Sequence, residues 1–86
     1  MKWQIKYYSQ KLEKEILSLP DGLLARYLRL TDLMCEFGSN LGMPHTRPIE
    51  GGLFELRVKS KEGKARVLLH KSREENHYAP LLCQEI

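Results

Sequence analysis

The hydrophobic and polar positions change period several times along the chain. Trp3, Ile5 and Tyr7 alternate with Gln4 and Lys6, which predicts a short strand. Beyond Tyr8 the period becomes helical. Ser9 offers an N-cap for a first helix over roughly 9–18, with Leu12, Ile16 and Leu19 as its apolar stripe. Pro20 stops that helix and can open the next, and Asp21 sits where the helix dipole favours a negative charge. Leu24, Tyr27, Leu28, Thr31 and Met34 then keep a 3.6-residue spacing. Leu23, Leu30, Leu33 and Phe37 widen this arc, so the second helix reads as well buried, with Gly38 as its C-cap. The pattern is an antiparallel helical hairpin with a very short connection.

Ser39 to Gly52, with its glycines and prolines, reads as one long loop that contains His45. A period of two follows. Phe54, Leu56 and Val58 alternate with Glu55, Arg57 and Lys59, and Ala65, Val67 and Leu69 alternate with Lys64, Arg66, Leu68 and His70. Ser60-Lys61-Glu62-Gly63 joins the two as a hairpin. Pairing Val58 with Ala65, Leu56 with Val67 and Phe54 with Leu69 puts every one of these apolar residues on the core face. That register also sets Arg57 opposite Arg66 and Lys59 opposite Lys64; a slip of two residues would still cluster the cations. Like charges directly opposite on a sheet are destabilising, so an anion lying across this face would explain the pattern. After Lys71 the periodicity fades.

Composition narrows the class. At 86 residues the chain is one domain, 1–86, and 42% hydrophobic with 29% charged residues is ordinary for a globular fold. A chain of this length buries only ~60% of its unfolded surface, so its stability margin is small. The longest apolar runs are three residues, such as Val67-Leu68-Leu69, far short of a membrane span. Cys35 and Cys83 lack metal-type spacing and read as reduced thiols of a cytoplasmic protein. A zinc site combining them with two of His45, His70 and His77 has no support in spacing.

Charge is uneven. Leu53 to Lys71 holds Arg57, Lys59, Lys61, Lys64, Arg66 and Lys71 against Glu55 and Glu62, a net +4, while the rest of the chain nets −1. Such a stretch suits a polyanion, or it is a solvated sheet face guarded by lysines. There is no glycine-rich phosphate loop, no Gly-x-Ser-x-Gly and no His-Glu-x-x-His. Cations on strands beside a loop suit phosphodiester chemistry on RNA. There the substrate's own 2′-hydroxyl attacks and the protein stabilises the charged transition state. Arginine fits the task because it stays charged and its planar fork matches phosphate oxygens.

The order strand, two helices, loop, basic hairpin resembles the RelE/ParE-type bacterial toxins. Leu19 to Val67 is similar to the HigB-like, phage-associated branch, through Leu-Gly-Met-Pro at 41–44, Leu-Phe-Glu-Leu-Arg at 53–57 and Ala-Arg-Val at 65–67. The likeness runs from about Ile5 to Leu69. It implies an α+β domain with a twisted antiparallel sheet on the helical hairpin. It implies a toxin that enters the ribosome and cleaves translated mRNA, with a HigA-type helix-turn-helix antitoxin as partner and no cofactor or metal. By this resemblance Arg57 and Arg66 hold the scissile phosphate, and Lys59, Lys61, Lys64 and Lys71 extend the RNA-binding patch. No motif match gives His45 or His70 a catalytic role.

The tail departs from the family. Members continue with a strand resembling "KKIVLLHSFVKKT", whereas residues 72–86 read "SREENHYAPLLCQEI". Back-translated from Glu74 and shifted by one base, this tail can read Lys-Lys-Ile-Ile-Met-Leu-His-Ser-Phe-Val-Lys-Lys. The expectation is a frameshifted, truncated member whose final strand is missing or altered, leaving an open apolar edge, with His77 and Tyr78 accidental. Two further readings stay open: a remnant that only binds antitoxin, and a ParE-type gyrase inhibitor. A plain RNA-binding module is a fourth.

Overall fold

A computed structural model describes residues 3–37, 46–72 and 76–86. In chain order the elements are β1 (Gln4–Ile5), α1 (Gln10–Leu17), α2 (Asp21–Phe37), β2 (Thr46–Pro48), β3 (Leu53–Ser60), β4 (Gly63–Ser72) and β5 (His77–Glu85). The strands form one sheet in the order β1-β5-β4-β3-β2. β1 runs parallel to β5, and every other pairing is antiparallel. α1 packs on β5, and α2 packs on β1, β3 and β4.

Both helices form where the apolar spacing places them. The Ser9 hydroxyl accepts the Leu12 N–H at 3.2 Å and caps α1, whose Leu12 and Ile16 are buried with Leu19 just beyond. In α2 the buried row is Leu23, Tyr27, Leu30, Thr31 and Met34. Leu28 is 46% exposed and Phe37 74%, so the helix is less enclosed than its leucines suggest. Leu28 follows Tyr27 by one position, which turns it about 100° off the buried row. The expected C-cap, Gly38, and the loop residue His45 lie outside the described residues. Part of the expected loop is a strand, because Thr46–Pro48 pairs with Phe54–Leu56 as β2.

The β3–β4 register is the unslipped one expected from the apolar alternation. Phe54 pairs with Leu69, Leu56 with Val67 and Val58 with Ala65, and all six are buried. Only Lys61 and Glu62 separate the strands, and Gly63 closes the turn at φ 142°, a conformation side chains disfavour. The Glu62 carboxylate accepts the Gly22 N–H at 2.6 Å, in the first turn of α2. A negative charge there complements the helix dipole and ties the hairpin tip to the helix.

The expected loss of a final strand does not hold. Residues 77–85 form β5, which pairs with β4 along most of its length and with β1 at His77 and Tyr78. Tyr78 is not accidental either. It is fully buried, its ring stacks on Trp3 at 4.8 Å, and it meets Phe54 edge-on at 5.5 Å. Lys71 Nζ sits 5.0 Å from the Trp3 ring. One aromatic column thus joins the N-terminal segment, β3 and β5.

Two predictions follow from this packing. Tyr78→Ala removes the centre of the aromatic column and should cost ~3–5 kcal/mol in chemical denaturation. An unchanged midpoint would mean that β5 is not part of the core. The Tyr7 and Tyr27 hydroxyls share a 2.7 Å hydrogen bond, and burial raises both phenols above the ordinary 10.0. The unfolded chain therefore ionises first, so this contribution is intact below pH 10 and is lost as pH rises beyond it. Stability measured from pH 9 to 12 should fall, and Tyr7→Phe with Tyr27→Phe should flatten that fall.

Candidate functional site

Residues paired across a sheet share a face, so the register assigns the surface away from the helices. It carries Arg47 from β2, Glu55, Arg57 and Lys59 from β3, and Lys64 and Arg66 from β4. β5 adds Leu82 beside Leu68, and Gln84 beside Arg66. Of the seven residues from β2, β3 and β4 named here, five are cations, and Glu55 is the one carboxylate.

Arg57 lies directly opposite Arg66, and Lys59 opposite Lys64, as the alternation predicts. The repulsion is answered from inside the protein. Glu55 is only 7% exposed and lies against both arginines. Arg57 Nε donates to Oε1 at 2.8 Å, and Arg66 Nε pairs with Oε2 at 3.1 Å. Each carboxylate oxygen thus takes one arginine. The two guanidinium side chains remain 45% exposed. The like-charge rung therefore stands without an external anion, contrary to the simplest expectation from the sequence. Its outer half still presents unneutralised donors to solvent.

A groove of about 670 Å³ opens beside this rung, lined by Arg26, Arg57, Val58, Lys59, Lys64, Ala65, Arg66 and Ile86. Arg26 comes from α2, and nothing in the local pattern singles it out, because it joins the cluster only through the tertiary fold. Of the expected patch, Lys59 and Lys64 line this groove, and Lys61 is exposed in the hairpin turn. Lys71 falls outside it. Its parity is that of Leu69, and its ammonium lies over Trp3. His70 is exposed at the other end of β4, opposite Leu53. His77 is buried, and its Nε2 is 2.9 Å from the Tyr8 hydroxyl. Cys35 and Cys83 are half-buried free thiols, and burial raises both above the ordinary cysteine value. Raised thiols are poor nucleophiles at neutral pH.

The Glu55 contact has a measurable energetic signature. Glu55→Ala leaves two facing arginines unshielded, but both are half-exposed, so the cost should be only ~1 kcal/mol. Arg66→Ala in the Glu55→Ala background should cost less than in the parent, giving a coupling energy of ~0.5 kcal/mol or more in a double-mutant cycle. Strict additivity would contradict the contact.

The fold and this face can be compared with known proteins. A chain of the archaeal RelE–RelB complex from Pyrococcus horikoshii superposes with a TM-score of 0.74 at 20% identity, covering 99% of this chain and 96% of that one. A chain of the toxin–antitoxin complex RelBE2 from Mycobacterium tuberculosis superposes with a TM-score of 0.70 at 13% identity, covering 100% of both. At such identities the likeness establishes the fold, an α+β domain of the RelE type. Among curated proteins, none matches the sequence. The sequence profile of the family described as Phage derived protein Gp49-like (DUF891) matches residues 14–83, which takes in the second half of α1, all of α2 and most of β5. The chain belongs to this Gp49-like, phage-derived family.

Proposed function

We propose that the chain is the toxin of a type II toxin–antitoxin pair, a HigB-like endoribonuclease that cuts mRNA on the ribosome. The observation that carries this reading is the Arg57–Arg66 rung. It stands on the open face of a fold shared with chains of toxin–antitoxin complexes. Its partners would be a HigA-type helix-turn-helix antitoxin, and the ribosome with its bound message, in the cytoplasm. No cofactor enters the chemistry.

In this reading the 2′-hydroxyl of the substrate attacks the adjacent phosphorus, and the bond to the 5′-oxygen of the next nucleotide breaks. The 2′-hydroxyl loses its proton, and the leaving 5′-oxygen gains one. Charge builds on the equatorial phosphate oxygens as five-fold coordination forms. The guanidinium groups of Arg57 and Arg66 neutralise that charge at fixed positions, where preorganised donors are most effective. Lys59, Lys61 and Lys64 add attraction for the RNA backbone, which salt should weaken. Lys71 lies on the other side of the sheet and has no part in this contact.

One observation favours a second reading, a chain that binds antitoxin without cutting RNA. The β5 residue beside Arg66 is Gln84, and Leu82 stands beside Leu68. Neither side chain can donate or take a proton at neutral pH. The Gp49-like profile runs through residue 83 and so includes most of this strand. β5 departs only from the HigB-like tail pattern, and a shifted-frame origin of its residues is tested by the gene's nucleotide sequence.

Induction of the chain in bacteria, followed by mapping of mRNA 5′ ends, should show growth arrest and cuts confined to translated messages. Arg57→Ala and Arg66→Ala should each lower cleavage by ~10²–10³-fold, as for loss of a transition-state donor. DNA damage without mRNA cuts would instead support a gyrase inhibitor. Antitoxin binding without arrest would support the non-catalytic reading.

A further inference from the structure

We propose that Glu55 is a positioning residue. It holds Arg57 and Arg66 by their inner nitrogens and so turns the terminal N–H groups of both toward one phosphate. The inference rests on the endonuclease reading for its substrate, but the arrangement itself is independent of it.

The geometry is specific. Glu55 spends one oxygen on each arginine, and the contact on each arginine is at Nε. The terminal guanidinium nitrogens of Arg57 and Arg66 have no protein partner among the described residues. Glu55 lies one rung along the same face, where Arg47 and Leu68 flank it across the strands. It is nearly enclosed while both arginines stay half-exposed. Without the carboxylate, two like charges on facing strands would splay apart. An arriving phosphate would then have to assemble its own site. With the carboxylate the two forks are held before the substrate arrives, which is where electrostatic catalysis gains most.

Glu55 therefore acts in two opposing ways. It lowers the positive charge of the face, which weakens non-specific attraction for RNA. It also fixes the donors, which speeds the reaction. A residue needed only for folding would not separate these effects.

The test uses the full chain with Glu55→Gln and Glu55→Asp. Nitrogen-15 NMR of the arginine Nε–H groups should show Arg57 and Arg66 protected from solvent exchange in the parent and exposed in Glu55→Gln. Inorganic phosphate should shift the terminal nitrogens of the parent while leaving the Nε–H signals in place. On programmed ribosomes, Glu55→Gln should bind message as tightly or tighter, yet cut ~10–100-fold more slowly at saturation. Glu55→Asp restores the charge but is one methylene short of reaching both arginines. It should recover the parental affinity and stay slow.

A saturating rate unchanged in Glu55→Gln, or fully restored in Glu55→Asp, would overturn the positioning role, the latter because charge alone would then suffice. So would a parent whose Nε–H groups exchange freely or whose terminal nitrogens ignore phosphate. If the parent cuts no RNA but its arginines bind phosphate in the Glu55-dependent manner, the positioning role stands and only the endonuclease reading falls.

Discussion

The pairing of Arg57 with Arg66 is the constraint on which the rest of this structure turns. It is not a free choice of the fold. Burying Phe54, Leu56, Val58, Ala65, Val67 and Leu69 on the helix side fixes which face each β3 and β4 residue takes, the two-residue turn sets the register, and that register places the two arginines face to face. A one-residue slip would relieve the repulsion but turn the apolar residues of one strand to solvent. The hydrophobic term wins, and Glu55 absorbs the electrostatic consequence from within the same strand. Core packing and the charged face are thus two sides of one register.

The strands that carry this face are braced by their neighbours. β4 is flanked by β3 and β5 along most of its length. Tyr78 locks β5 to Trp3 and Phe54, and Glu62 pins the hairpin tip to the start of α2. A domain of this size has little core to spare. It concentrates its few aromatic contacts behind the strands that carry the arginines.

The two helices and the β3–β4 register were legible because their apolar residues repeat without interruption. β5 was not. Its first four residues, His77 to Pro80, are all buried, and its next two are exposed, so no period of two survives. A bulge between Leu68 and Leu69 breaks the pairing with β4, and Pro80 pairs with Leu69 at that break. Proline is tolerated at a bulge but argues against a central strand when read from sequence alone. Glu55 was hidden for another reason. In the alternation it is one more polar position, and only the closing of two arginines from adjacent strands makes it buried. Arg26 joins the groove from α2, a proximity that no local pattern encodes.

Whether the arginine rung is a phosphate site is tested most directly by a crystal structure with a short RNA blocked by a 2′-deoxy substitution at the reacting nucleotide. It should place one backbone phosphate within ~2.7–2.9 Å of terminal nitrogens of both Arg57 and Arg66, with Glu55 still on their inner nitrogens. A phosphate bound elsewhere on the chain, or one that displaces Glu55 from the arginines, would contradict it.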